Sequence, residues 1–373
     1  MENILAVKGL ENQVVSEVCD ALCSFLGGAA AHKELQQLSQ LPAVLDSMGQ
    51  YLLAGKVRRC GTWLLFEKYK NKINGEFACK LAKADMCDHK FCPFCQWRLS
   101  RRVLLQLLAR IVCLKEKYGA DLHFGLLTKT YPNPPVDKVR ETYKKMSAAE
   151  RKFFLNPKIK KRFLGAFTSY EYFGDHTKAG EAHLHSHSLV AFLGDLSERH
   201  TQRLCRGVWE HVLDWKNDPL RRGDYHLQVD FQKITEKPQA TVVVEIEPEV
   251  ENNKINKNFE NICGGVLEVV KYCTAPQAME KLTEKDFATI IIETKGLRKY
   301  RTSGVFYKFK FPEGKNENDY LKMAFDDYKD FDDNKIWEFL HMLSAEWNCY
   351  EKKYSVYNNE MKLVGKIGKE LKK

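Results

Sequence analysis

The sequence predicts an α+β protein, with an antiparallel or mixed sheet, helices packed on one face, a helical N-terminal region and a small cysteine-rich module. Three observations carry this. Apolar residues recur at spacings of three and four in the first part of the chain and shift to strand-like patterns from about residue 122. The middle then reads strand, helix, strand, strand, helix, strand. The second and third of these strands are joined by a connection of turn length, which favours an antiparallel pair.

In order, residues 1 to about 58 read as helical, with "QVVSEVCDALCSFL" and "LPAVLDSMGQYLLAG" separated by Gly27-Gly28. Residues 59–105 are rich in Cys, Lys and Arg and form the expected module. "RRVLLQLLARIVCLKEKYG" follows as an amphipathic helix ending at Gly119. Residues 106–312 form the expected main domain. "LHFGLLTKTY" reads as a strand stopped by "PNPP", and "VDKVRETYKKMSAAERKFFLNP" as a helix. "FLGAFTSYEYF" and "HLHSHSLVAFL" read as strands around the polar turn "GDHTKAGEA". A helix, "SERHTQRLCRGVWEHVLDW", and a strand, "YHLQVDFQKI", complete the series. The polar stretch 235–260 reads as a loop insertion, and "GGVLEVVKYCTA" as a helix entered from Gly264-Gly265. Residues 313–373 are acidic at first and end in a basic tail. No internal repeat is present.

Composition narrows the function classes. Charged residues make up 29% of the chain and the net charge is +10, which favours a polyanionic partner. The N-terminus carries Glu2 and no basic stretch ahead of its apolar residues, so it does not read as a signal peptide. No uninterrupted apolar run approaches membrane-spanning length. The expectation is a cytoplasmic protein without a membrane partner, whose 12 cysteines are reduced and serve as core residues or metal ligands.

Three motifs carry chemistry. On a strand, residues two apart share a face, so His183, His185 and His187 line up together. Glu171, on the preceding strand, can approach them across the turn. Imidazoles with a carboxylate suit a divalent cation with open positions; a polar strand edge is the plainer alternative. Further upstream, Cys87, Cys92 and Cys95 form C-x4-C-x2-C, a spacing that suits structural zinc. Cys79, Cys60 and His89 are all candidates for a fourth ligand, and Cys79 is carried in the expected set. A redox dithiol or plain buried thiols are the alternatives. Arg98, Arg101 and Arg102 follow at the expected start of a helix, as phosphate contacts or a solvated face. Third, Glu268 and Tyr272 lie four apart on one helical face, with Lys271 beside them. A tyrosine can attack phosphorus and a carboxylate can direct water. An ordinary pair at the core edge has the same pattern.

Together the motifs resemble the rolling-circle replication initiators of small bacterial plasmids, within the wider HUH endonuclease class (His, bulky residue, His). The resemblance runs from about Cys60 to Tyr307. "CDHKFCPFCQWRLSRR" is similar to the family's cysteine motif, "FGLLTKTYPN" to its first strand, "HLHSHSLV" to its metal motif, "VLEVVKY" to its nucleophile motif and "GLRKYRTSGVF" to the segment after it. Leu184 stands where proline is usual, Ser186 is not bulky, and Leu99 replaces an arginine.

The resemblance implies an HUH-type palm sheet with Mg²⁺ or Mn²⁺ on His185, His187 and a third group, and structural Zn²⁺ in the cysteine module. It implies Tyr272 as nucleophile forming a 5′-phosphotyrosine, Glu268 as the director of water at termination, and Lys271 beside the developing charge. The implied partners are plasmid origin DNA, single-stranded or hairpin, a host helicase and polymerase, and a second copy of the chain. Arg298 and Arg301 join the DNA contacts, and "KGLRKYRTSGVFYKFK" could line a single-strand channel. A single-strand transposase or conjugative relaxase shares this chemistry. A zinc-containing DNA-binding regulator without catalysis is the alternative of another class.

Overall fold

The computed structural model describes residues 19–173, 178, 180–221, 226–234, 260–271, 282–324, 329–331 and 333–369. In chain order the elements are α1 (Asp20–Leu38), α2 (Leu41–Ser47), α3 (Tyr51–Arg59), β1 (Trp63–Asn71), β2 (Phe77–Ala84), α4 (Pro93–Tyr118) and β3 (Leu122–Thr130). Then come α5 (Val139–Leu155), α6 (Pro157–Lys160), β4 (Gly165–Glu171), β5 (His185–Leu193), α7 (Glu198–Val212) and β6 (Val229–Lys233). The last are α8 (Glu260–Lys271), α9 (Glu284–Thr294), β7 (Tyr300–Gly304), α10 (Glu317–Ala324), β8 (Trp337–Asn348), β9 (Lys353–Tyr357) and β10 (Leu363–Gly368). No helix of the described residues is long and apolar enough to cross a membrane.

The described residues fall into two compact units. One takes 19–98 with 329–369, and the other lies within 99–324. Each has its own antiparallel five-stranded sheet.

The first unit orders its strands β10-β9-β8-β1-β2. β1 pairs with β2 on one side and with β8 on the other, from Trp63↔Glu346 to Asn71↔Trp337. The sequence expectation contained none of these five strands. Helix α1 packs on β2, β9 and β10. Its Lys33 is fully buried and donates to Gln36 Oε1 (2.7 Å), to the Arg58 carbonyl (2.9 Å) and to the Cys60 carbonyl (2.6 Å). A lysine without water is stable only with such acceptors. Burial nevertheless pushes its pKa down to about 8.

The second unit orders its strands β6-β3-β5-β4-β7. All seven residues of β4 are buried, as expected for an inner strand covered on both sides. That cover corrects the expectation of helices on one face. Helices α5 and α7 occupy one side: Glu150 of α5 reaches Lys129 Nζ at 3.2 Å, and Trp209 of α7 donates to the Thr130 carbonyl at 2.9 Å. Helix α8 packs on β3, β4 and β5 from the other side, where Ser169 Oγ donates to the Val269 carbonyl at 2.8 Å. Ser169 lies opposite His187 in the ladder, so this is the histidine side.

Local chemistry sets several boundaries. Helix α4 begins with Pro93 at its first position, eight residues before the expected Arg101, because proline fits where an amide has no intrahelical partner. It ends at Gly119, which takes the left-handed conformation (φ +72°). Asn156 closes α5 in an extended conformation, as a residue before proline prefers. Helix α8 starts at Glu260 rather than at Gly264-Gly265. The glycine at 265 serves packing instead: a Cβ there would lie 2.2 Å from Ile234 Cδ1. Most of the expected insertion 235–260 lies outside the described residues. The strand expected from His183 begins at His185.

Candidate functional sites

Strands β4 and β5 build the first site. Their register places Glu171 opposite His185 and Ser169 opposite His187, while β3 sets Thr128 opposite His187. Period-two alternation then gathers Glu171, His185 and His187 on one face. Glu171 Oε2 lies 2.6 Å from His185 Nε2 and 3.7 Å from His187 Nε2. One ligand atom from each residue lies within 4.8 Å of the others. The far sides of the rings are engaged as well: His187 Nδ1 meets Thr128 Oγ1 at 3.0 Å, and His185 Nδ1 meets the His183 carbonyl at 3.2 Å. Such outer contacts orient imidazoles so that both Nε2 atoms face one point.

The electrostatics suit a cation. Burial opposes ionisation of Glu171, but the hydrogen bonds from His185 and His187 outweigh it and hold its pKa below the usual carboxylate range. Burial, aided by neighbouring His185 and Lys129, holds His187 below its ordinary value despite Glu171. An ionised carboxylate with a neutral imidazole is the state a divalent ion binds.

His183 is not part of this group. Its Nδ1 bonds Asn133 Oδ1 at 2.7 Å, and its ring stands 4.6 Å from that of His185. It therefore ties the segment after β3 to the segment before β5. Sequence reasoning missed Thr128 and Asn133 because only strand register reveals which hydroxyl or amide meets which ring.

The opposite face of the same strands holds a buried polar network. Lys129 Nζ donates to Ser188 Oγ (3.1 Å) and pairs with Glu150, which also accepts from Thr168 Oγ1 (3.2 Å). Lys129 also lies over the rings of Phe153, Phe154 and Trp209. This network braces β3, β4 and β5 against α5.

The second site is a thiol cluster in the first unit. Cys60, Cys87, Cys92 and Cys95 are all buried, with ligand atoms within 4.8 Å of one another. Cys95 Sγ lies 3.4 Å from Cys60 and 3.5 Å from Cys87. Asp88 in the left-handed conformation (φ +53°) turns the chain between Cys87 and the Cys-Pro-Phe-Cys knuckle. Hydrogen bonds from Cys60, Cys87 and Cys92 push the Cys95 thiol far down. Gly61 is needed beside Cys60, since a Cβ there would lie 2.7 Å from the Phe94 ring at a positive φ.

Cys79, expected as the fourth ligand, does not join the cluster. It sits on β2 opposite Lys68, and its Sγ lies 3.5 Å from that of Cys19. Cys60, at the end of α3, takes the position instead. The strand carries Cys79 into the sheet, while the helix end delivers Cys60 to the knuckle.

Among the expected DNA contacts, Arg102 and Arg298 are exposed, and Arg98, Arg101 and Arg301 are half-buried. Arg301 Nη1 donates to the Ser147 carbonyl at 2.8 Å, which fixes β7 to α5. Tyr272 lies outside the described residues, as do the side chains of Glu268 and Lys271; the backbone of both is in α8.

Known proteins resemble this chain in part. A family described as "Replication protein" matches residues 78–355. A curated "Protein rep" from Bacillus sp is 25% identical over 241 residues, covering 64% of this chain and 72% of that protein. A "Protein rep" from Streptococcus pneumoniae serotype 2 (strain D39 / NCTC 7466) is 26% identical over 230 residues, covering 60% of each. A third "Protein rep", from Staphylococcus aureus, is 31% identical over 103 residues, 28% of this chain and 42% of that one. No solved structure matches.

Proposed function

Because this chain belongs to the replication protein family, we propose that it is a plasmid replication initiator that nicks and rejoins one DNA strand at an origin. The observation that carries this is the convergence of Glu171, His185 and His187 on the face covered by α8. That helix is anchored at Val269 to Ser169, the cross-strand neighbour of His187, and runs to Lys271, the residue before Tyr272.

The donor set fits a divalent cation with open positions, Mg²⁺ or Mn²⁺, and such an ion supplies polarisation of the scissile phosphate. The chain's own groups do the rest. Thr128 and the His183 carbonyl hold the two rings in orientation. The phenol of Tyr272 loses its proton and attacks phosphorus in line. The P–O3′ bond breaks, a 3′-hydroxyl leaves, and the 5′ phosphate stays on Tyr272. The freed hydroxyl primes a host polymerase. At termination Glu268 takes a proton from water, which attacks phosphorus at the second cleavage; the P–O3′ bond breaks there, and the freed 3′-hydroxyl displaces Tyr272 from the first 5′ phosphate, so the strand is rejoined and no new adduct stays on the enzyme. Lys271 offsets charge on the transferring phosphate. Arg98, Arg101, Arg102 and Arg298 contact phosphates and hold register.

The four buried thiols fit structural zinc, which takes four sulfur ligands and no open position. In this reading Cys60, Cys87, Cys92 and Cys95 hold it.

The test is relaxation of a supercoiled plasmid carrying the origin that flanks the gene, with Mn²⁺ or Mg²⁺. The full chain produces open circles with protein on the 5′ end, and Tyr272→Phe and His185→Ala do not. Nicking by Tyr272→Phe at the wild-type rate would overturn the assignment. Glu268→Ala accumulates covalent complex; clean release by that variant removes its role.

A further inference from the structure

The first unit holds a second pair of thiols, apart from the four that form the cluster. The Sγ atoms of Cys19 and Cys79 lie 3.5 Å apart and share a hydrogen bond. Cys19 is the residue before α1, and Cys79 lies on β2, against which that helix packs. Both are half-buried, whereas Cys60, Cys87, Cys92 and Cys95 are buried. Among the described residues the pair belongs to no group of three or more metal ligands. Two sulfurs in contact without further ligands suit a disulfide better than a metal ion.

The surroundings separate the two sulfurs in reactivity. The bond with Cys79, the Leu22 amide in the first turn of α1 and the charges of Lys329 and Lys68 outweigh burial and bring Cys19 down to about 7. The same bond, with burial and the charge of Cys19, pushes the Cys79 thiol up, and Cys23, one turn further along α1, adds to this. Lys68 stands opposite Cys79 in the β1–β2 ladder, so register brings this cation beside the pair. Cys19 is thus the thiolate, and Cys79 the thiol that keeps its proton. A half-exposed thiolate next to a second cysteine is the arrangement of an attacking and a resolving thiol.

We propose that Cys19 and Cys79 form a reversible disulfide when the chain meets a peroxide, and that this bond staples α1 to β2. The Cys19 thiolate attacks one oxygen of hydrogen peroxide. The O–O bond breaks, the leaving oxygen departs as water after taking a proton, and Cys19 becomes a sulfenic acid. The Cys79 sulfur then attacks the Cys19 sulfur, gives up its proton and expels the hydroxyl as a second water. The two thiols lose two electrons, which reduce the peroxide. A dithiol reductant reopens the bond by exchange. In a reducing compartment the pair rests as thiols and closes only under oxidative load.

The bond would close a loop of 60 residues. It joins the two arms that lead to the thiol cluster. Helix α1 carries Lys33, whose ammonium holds the Cys60 carbonyl at 2.6 Å, and β2 runs on into the segment of Cys87. The inference concerns the first unit alone and is independent of the nicking chemistry.

The experiment treats the full chain with one equivalent of hydrogen peroxide, blocks the remaining thiols with N-ethylmaleimide and maps the peptides without reduction. The peptides of Cys19 and Cys79 should be joined, and dithiothreitol should part them. Cys79→Ser should leave Cys19 as a sulfenic acid that dimedone traps. The linked chain should melt about 5–10 °C above the reduced one, and Cys19→Ser should abolish that rise. Recovery of both residues as blocked thiols overturns the proposal. So does a Cys19–Cys23 bond, or dimers joined through the exposed Cys349 in place of the internal bond. Equal linkage in a chain first unfolded in urea overturns it too, since contact in the fold would then not direct the reaction. A linked chain with an unchanged melting temperature overturns the staple.

Discussion

Replacing Thr128 by valine removes one hydroxyl and keeps the shape of the side chain. The lost contact is Thr128 Oγ1 to His187 Nδ1, at 3.0 Å. A neutral hydrogen bond contributes about 0.5–1.5 kcal/mol net, equivalent to roughly 2- to 13-fold in a binding constant. Loss of an outer partner of a metal-binding histidine costs about 10- to 100-fold in metal affinity. The two ranges overlap near tenfold, about 1.4 kcal/mol. The low end of the second range fits here, because the His187 ring keeps its contact with His185 at 4.6 Å. Thr128→Val should therefore raise the Mn²⁺ Kd about tenfold by calorimetric titration, with a similar loss of nicking at subsaturating Mn²⁺ and recovery at saturation. The melting temperature should move little, because Thr128 is only half-buried. A Kd within twofold of wild type would refute the view that Thr128 orients His187.

The buried Lys129–Glu150 pair makes a sharper stability prediction. Lys129→Met strands a carboxylate that is 3% exposed and should cost about 3–5 kcal/mol in urea unfolding, most of it recovered when Glu150→Leu is added. In the thiol cluster, Cys60→Ser should abolish bound zinc by elemental analysis and Cys79→Ser should retain it; the reverse pattern would restore Cys79 as the ligand. Asp218 supplies a pH prediction. Burial raises its pKa, but bonds from Lys145, the Leu220 amide and Tyr131 prevail and hold it below the usual value. A depressed folded pKa stabilises above the unfolded pKa and is lost on acidification. The stability gap between wild type and Asp218→Asn should be about 2 kcal/mol at neutral pH, full above about pH 4, and should close as pH falls further. A gap that is constant down to pH 2 would remove the charge from the explanation.

The histidine face was legible because strand periodicity is exact: two residues apart means one side, whatever the tertiary context. Glu171 was legible by extension, since an antiparallel pair joined by a turn brings the end of one strand to the start of the next. The outer partner of His187, Thr128, depends on β3 pairing with β5 across some sixty positions, and no local pattern encodes such a register. The same limit hid a whole sheet. "WLLFEKYKN" does alternate in burial, but Lys68 takes an inward position at 3% exposure, with its ammonium 4.8 Å from the Phe77 ring, and obscures the apolar pattern. Gly265 misled in a different way. A glycine pair reads as a helix start, whereas this one gives way to Ile234. The Cys-Pro-Phe-Cys knuckle was local and therefore visible, while the choice between Cys60 and Cys79 turned on where a helix end and a strand lie in space.

The pairing of β1 with β8 has a consequence for synthesis. About 270 residues separate the two, so at roughly 5–20 residues per second the inner edge of β1 waits some 15 to 50 s on the ribosome for its partner. During that interval it is an open template for any extended chain. Lys68 and Lys70 of β1, with Lys80 and Lys83 of β2, place charges along the waiting hairpin. Aggregation during translation is thus discouraged by the same side chains that make the hairpin hard to recognise.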